Sequence, residues 1–260
     1  MDNSTYWNKR IIKERENLTS KNIRDTEKQL SKYYRTAMNG AINEFEAVYD
    51  KLLTTEGEIS PATLYSLDKY WKMQGQLAHH LEKLGDKQAE LLSKQFMKEY
   101  AGVYMMALVG DAEFTTADTE VAKQIINSIW TTDGTSWSQR IWSNLNILQE
   151  TLNEQLVHCV VTGKKTSELK RMLQERFKVS HSRADTLVRT EIARIETQAS
   201  LQRYKDYGLE KYRVLVSPDS RTCDSCSQYD NKEYYLAEMR VGVNAPPFHP
   251  NCRDTIIPVV

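Results

Sequence analysis

The sequence lacks several things, and each absence closes off a class of protein. It has no net charge: 35 Lys and Arg stand against 35 Asp and Glu. No global field therefore draws it to nucleic acid or to a membrane surface, and any basic site must be local. No apolar run approaches the roughly 20 residues that a membrane span needs. Met1 to Arg15 is polar and charged throughout, without the apolar core of a secretory signal, so folding in a cytosol is expected. Internal repeats and low-complexity segments are missing too. Cysteine is scarce, with four in 260 residues. Cys159 stands alone in a helical stretch, whereas Cys223, Cys226 and Cys252 crowd toward the C-terminus. In a reducing cytosol such a cluster more often binds metal than forms disulfides.

There is no proline between residues 5 and 53, and Gly40 is the only glycine. This predicts one long helix or two in line, about 70 Å if unbroken. Its second half carries an apolar stripe at spacings of three and four: Leu30, Tyr33, Tyr34, Ala37, Ala41, Ile42, Phe45, Val48, Tyr49 and Leu52. Its first half carries Lys9, Arg10, Lys13, Arg15, Lys21, Arg24, Lys28, Lys32 and Arg35. Those bases read as a solvated face or as an arm toward DNA or an acidic partner. Removal of residues 1–35 is expected to leave a folded body.

Gly57 breaks the pattern, and Ser60-Pro61 restarts it as N-cap and first helical residue. Gly85-Asp86 suggests a break, with a new helix from about Lys87 to Leu108. A loop, Gly110 to Thr116, precedes a helix over Glu120 to Trp130, and Asp133-Gly134 reads as a turn. Ser136 caps a helix whose stripe runs from Trp137 to Val160, and Gly163 suits its C-terminal end. Thr166 or Ser167 opens a short helix ending near Phe177. Ser180 or Ser182, with Asp185 at capping-box spacing, opens the next, which stops at Gly208. Tyr212 to Val216 is a strand candidate, Ser217-Pro218-Asp219 a turn, and Asp230-Asn231 a hairpin turn. The final fifty or so residues hold few large apolar side chains and need a staple.

The staple is a pair of pairs. Cys223-Asp224-Ser225-Cys226 and His249-Pro250-Asn251-Cys252 each place two donors two residues apart, so both can reach one tetrahedral ion. Twenty-two residues separate Cys226 from His249, enough for a hairpin that brings the pairs together. Four N and S donors describe a closed, structural zinc site of Cys223, Cys226, His249 and Cys252. Three free thiols and a loop histidine, or a disulfide in oxidised protein, are the alternatives. A nuclease in which His249 activates water would need nearby acids. Asp219, Asp230 and Asp254 are candidates, none at a diagnostic spacing.

The run Asp219-Ser220-Arg221-Thr222-Cys223 through Cys226, then Pro246-Pro247-Phe248-His249-Pro250-Asn251-Cys252-Arg253 and Pro258, resembles the C-terminal signature of the Mu F-like minor head proteins of tailed phages. Val188-Arg189-Thr190-Glu191 with Ala199, Tyr204 and Gly208 resembles the preceding helix, and Tyr6-Trp7-Asn8-Lys9-Arg10 the opening of relatives from phages of Gram-positive hosts. The resemblance is specific over about residues 135–260. It implies a structural protein, not an enzyme, built into the head in few copies near the portal, aiding assembly or DNA delivery. Its implied partners are the portal, the inner capsid and packaged double-stranded DNA, with no membrane and no small-molecule substrate. Its implied place is the head interior, and the host cytoplasm during assembly. The family often reads Cys-Arg-Cys where this chain has Cys252-Arg253-Asp254, so Asp254 would serve there only through its carboxylate. Its Asp-Gly turn is Asp230-Asn231 here. Some relatives carry a toxin domain after the signature; with eight residues beyond Cys252, none is expected here.

Other residues have plainer readings. Glu191, with Arg194 three residues on, is expected to be a buried ion pair orienting the last helix against the metal module. An ADP-ribosyltransferase Arg-x-Glu is set aside because Arg189 to Glu191 lies in a helix. Residues 164–194 carry nine bases against four acids, and Lys164, Lys165, Lys170 and Arg171 are the candidates for phosphate contact. His79 and His80 point about 100° apart and should not share a metal. The five tryptophans are expected to pack helix on helix, and Cys159 to be a small core residue. The expected fold is mainly α: an elongated helical domain, then a small α+β zinc-knot domain. Its divisions are 1–134, 135–208 with Mu F-like character, and 209–260. A metal-dependent nuclease using His249 and a stand-alone DNA-binding module are the competing functions.

Overall fold

The computed structural model describes residues 3–53, 60–107, 116–217 and 223–259. Among the described residues, six helices precede the sheet: α1 (Asn3–Leu53), α2 (Pro61–Tyr65), α3 (Asp68–Met106), α4 (Thr119–Asn127), α5 (Trp137–Val161) and α6 (Thr166–Asp206). Strand β1 (Lys211–Leu215) follows, then the four-residue helix α7 (Asp224–Ser227), β2 (Glu233–Tyr235), a 3-10 turn at Leu236–Glu238, and β3 (Thr255–Val259). The sheet order is β2-β1-β3, antiparallel throughout, with Tyr212 opposite both Tyr234 and Pro258. Among the described residues no helix is long and apolar enough to cross a membrane. The mainly helical chain with a small C-terminal sheet matches the expected class. Gly57, Gly110 to Thr115 of the expected loop, and the Pro218-Asp219 half of the expected turn lie outside the described residues.

Two expected breaks do not exist, and both reasons are packing. Gly85 sits inside α3. A Cβ there would stand 2.4 Å from the Trp142 ring and 3.0 Å from Leu145, so the glycine serves a close approach of α5 rather than a helix end. Ser180 lies within α6 and caps nothing. It is buried, and its hydroxyl meets Tyr34 Oη at 3.2 Å and Asn144 Nδ2 at 3.0 Å. Asp185 does not close a capping box with Ser182; its Oδ2 lies 3.1 Å from His181 Nδ1. Other stops fall as expected: Gly163 and Gly208 have φ of +60° and +80°, and Lys164 N donates to Cys159 O. Asp118 caps α4 by accepting from Glu120 N and Val121 N.

The chain forms two compact units. One takes Lys28–Leu91 and Ser138–Asp185; the other takes Met1–Glu27, Leu92–Trp137 and Thr186–Val260. In the first, Leu30, Tyr34, Ala37, Ala41, Ile42, Phe45 and Tyr49 of α1 are buried as the stripe predicts, and Leu145, Leu148, Leu152 and Leu156 of α5 are buried with Cys159. Trp71 departs from expectation, being 59% exposed while its Nε1 donates to Tyr65 O.

In the second unit the N-terminal part of α1 is not an arm. Arg15, Asn22 and Thr26 are buried, a polar stripe at helical spacing that an apolar count misses. Arg15 donates to Ile256 O, Thr255 Oγ1 and Glu196 Oε1 at 3.0, 2.9 and 2.9 Å. Glu99 accepts from Thr19 Oγ1 and Asn22 Nδ2 at 2.5 Å each. Removal of residues 1–35 would therefore strip partners from buried charges and from the end of the sheet, so the expectation that such a body stays folded is withdrawn. Lys9 and Arg10 have side chains outside the described residues. The C-terminal segment packs on α6 through a core of Leu201, Tyr204, Tyr212, Val214, Leu236, Ala245 and Ile256. Its burial is shared with the helix, which is how so short a segment acquires a core at all.

Candidate metal centre

Two tight turns aim the donors. Cys223 has extended backbone (φ −85°, ψ 156°) at the start of α7, and Cys226 N donates to Cys223 O at 3.0 Å. In the second pair, Cys252 N donates to His249 O at 3.2 Å. Asn251 has φ +60°, a left-handed conformation that Asn tolerates better than most residues. The Asn251 N–H donates to Thr190 Oγ1 at 3.1 Å, tying this turn to α6. No motif pointed to Thr190 in that role.

The turns bring three of the expected donors, Cys223, Cys226 and His249, within 4.8 Å of one another, and the fourth, Cys252, beside Cys226. His249 Nε2 is 3.3 Å from Cys223 Sγ and 3.1 Å from Cys226 Sγ, and Cys226 Sγ is 4.0 Å from Cys252 Sγ. A tetrahedral zinc ion with its usual bond lengths sets donors about 3.5 to 3.8 Å apart, which the Cys223, Cys226 and His249 trio approaches, whereas Cys252 stands outside that trio and groups with Cys226 and Asp254. His249 Nδ1 lies 2.8 Å from Pro250 O. If it donates there, the unprotonated Nε2 faces the sulfurs, as a metal ligand requires. Two groups of donors within 4.8 Å of one another share Cys226: Cys223, Cys226 and His249, and Cys226, Cys252 and Asp254. Asp254 is buried and already engaged, its Oδ1 with Ser217 N at 3.2 Å and its Oδ2 with Cys252 Sγ at 3.2 Å. It joins the start of β3 to the end of β1, a contact reinforced by Ser217 Oγ to Arg253 O.

The thiols differ. Hydrogen bonds from Ser225 and Cys226 draw the Cys223 thiol down to about 7, with the His249 charge assisting. Burial pushes Cys226 far above its ordinary value, with Asp254 and Cys223 adding to the effect. Burial likewise raises Cys252 to about 11. A divalent cation reverses such a preference, because its charge favours the thiolate.

His249 has no carboxylate in its group of donors. Asp230 is taken up by Val216 N and Asn231 Nδ2, Asp254 is placed as above, and Asp219 lies outside the described residues. The Glu191–Arg194 pair is present and buried, at 2.8 Å, but its target differs from expectation. Arg194 donates to Ile125 O, Ser128 Oγ and Ile126 O, and Trp130 Nε1 donates to Glu191 at 2.9 Å. The pair thus adds to the capping of the Ile125 and Ile126 carbonyls at the C-terminal end of α4, rather than holding the metal module.

Buried Arg194 is thereby lost to any phosphate surface. Lys164 is half-buried, while Lys165, Lys170 and Arg171 are exposed. Lys170 Nζ lies 3.3 Å from Glu46, and Arg189 pairs with Glu27 at 2.7 Å.

No curated protein and no solved structure matches the chain. Residues 150–257 do match the family model described as Phage Mu protein F like protein. That span runs from within α5 to β3 and takes in all four expected metal donors, and over it the chain is similar to the Mu F-like family.

Proposed function

We propose that this protein is a minor head protein of a tailed phage, acting structurally in head morphogenesis. Its partners are the portal and the inner shell, and its C-terminal module is stapled by one zinc ion on Cys223, Cys226, His249 and Cys252. The observation that carries the reading is the family match over residues 150–257. The donor set supports the structural role of the metal: three sulfurs and one imidazole leave no open position for substrate or water. The ion would supply folding energy to a segment with a small core of its own. The metal centre is assigned no catalytic chemistry, which sets aside the nuclease reading. Exposed Lys165, Lys170 and Arg171, with Lys164, are the proposed non-specific contacts with packaged DNA.

The test is composition of assembled heads. Portal, scaffold and major shell protein are expressed with and without this chain, and procapsids are purified and analysed by quantitative mass spectrometry. The chain should appear in the particles at a few copies, and it should co-purify with portal alone. Its absence from portal complexes and from particles alike would refute the proposal.

A further inference from the structure

In the unit formed by Lys28–Leu91 and Ser138–Asp185, three side chains from α1 and α6 make a relay that the head role does not use. Ser31 Oγ lies 3.1 Å from His181 Nε2, and His181 Nδ1 lies 3.1 Å from Asp185 Oδ2. The order is hydroxyl, imidazole, carboxylate, which is the arrangement that activates a serine. The histidine is held on a third side by Tyr34, whose ring meets it edge-on with centroids 4.9 Å apart. With the proton on Nδ1, beside the Asp185 carboxylate, the Nε2 lone pair is left for the Ser31 hydroxyl. That is Ser31's one hydrogen bond among the described residues. His181 and Asp185 have side chains 24% and 27% exposed, so a reagent can reach the relay.

We propose that Ser31 is an activated nucleophile with His181 as its base and Asp185 as the positioning residue, and that it takes acyl groups from small anionic esters. The Ser31 oxygen attacks the ester carbonyl carbon while its proton passes to His181 Nε2. The carbon–oxygen bond to the leaving alcohol breaks, and that alcohol takes the proton from His181. Water then repeats the sequence on the acyl-serine, releasing the acid and restoring the hydroxyl. Main-chain N–H groups around Ser31 are engaged inside α1, so they cannot receive the oxyanion. Lys28 and Arg35 stand three before and four after Ser31, and Lys178 three before His181, all exposed and on adjoining faces. These cations take the place of backbone donors and select a substrate with a negative group.

The test uses the full chain. It is treated with a fluorophosphonate, which loses fluoride as the serine oxygen bonds to phosphorus, and the labelled peptides are mapped. Ser182, exposed and one residue from His181, is the internal control. Ser31 should label, and Ser182 should not. His181→Gln should slow Ser31 labelling by about 100-fold, the usual size of general-base assistance. Asp185→Asn should lower kcat for p-nitrophenyl hydrogen adipate with KM little changed. The wild type should prefer that ester to neutral p-nitrophenyl hexanoate, and Lys28→Glu with Arg35→Glu should remove the preference. Ser31 labelling no faster than Ser182 in the wild type would overturn the proposal, whatever the variants do. So would labelling unchanged by His181→Gln in a variant with native circular dichroism.

Discussion

Arg15 and Ile256 stand 241 residues apart in sequence, and the guanidinium of the first donates to the main-chain oxygen of the second at 3.0 Å. The same group holds Glu196 and Thr255, so the first helix closes over the last strand through one side chain. Burial works against the Arg15 charge, but Glu196 and Tyr204 outweigh it and hold its pKa above the ordinary value. Replacing it strands a largely buried carboxylate and a strand carbonyl. Arg15→Met should cost about 3 kcal/mol in urea unfolding, the lower end for breaking a buried pair because Glu196 keeps 14% exposure. A loss under about 1 kcal/mol, the scale of a surface pair, would mean the contact is dispensable.

Glu99 gives the stability a pH dependence of definite sign. Burial is the main cause that raises its carboxyl from 4.5 to about 7, partly offset by Thr19 and Asn22. Between those values the folded protein holds a proton that the unfolded chain has released. Stability from this group is therefore full below about 4.5 and is lost as pH rises through about 7. Glu99→Gln should flatten that slope and leave the variant more stable than the wild type at pH 8, by up to roughly 3 kcal/mol. Urea midpoints across the range decide it, and parallel curves for the two proteins would contradict the assignment.

What could be read from the sequence followed from periodicity and from paired spacing. The apolar stripe of α1 from Leu30 to Tyr49, the stops at Gly163 and Gly208, and strand β1 all act locally, so their signals are local. The two CxxC-like pairs also announced themselves, because a two-residue gap is a local constraint on chelation. The failures share the opposite cause. Gly85 looks like a break until Trp142 is seen against it. Ser180 looks like a cap until Tyr34 and Asn144 claim its hydroxyl. Arg15 looks like part of a solvated arm until Glu196 and β3 surround it. In each case the partner lies tens to hundreds of residues away, and no pattern in the flanking sequence specifies it. Ser31, His181 and Asp185 divide the same way: His181 and Asp185 stand at helical i, i+4 spacing, whereas Ser31 is 150 residues off.

DNA contact by the basic segment has a quantitative signature. Each Lys or Arg that meets a phosphate adds about 0.9 to the slope of log affinity against log salt. Replacing Lys164, Lys165, Lys170 and Arg171 with Gln should lower that slope by about 2 to 3. The loss should fall short of four full contacts, because Lys170 already faces Glu46 and Lys164 is half-buried. Filter binding to mixed-sequence duplex between low and physiological salt measures it. A slope that does not change returns these residues to a solvated face.

The metal content of the full chain decides whether zinc staples the C-terminal module. Protein purified under reducing conditions without chelator is analysed by inductively coupled plasma mass spectrometry and by native mass spectrometry. Close to one zinc per chain is expected, lost together with the fold of the C-terminal module in Cys226→Ser, with cobalt substitution giving the absorption of a tetrahedral site with three thiolates. A chain that carries no metal yet keeps residues 209–260 folded, with Cys223, Cys226 and Cys252 all freely alkylated, would contradict it.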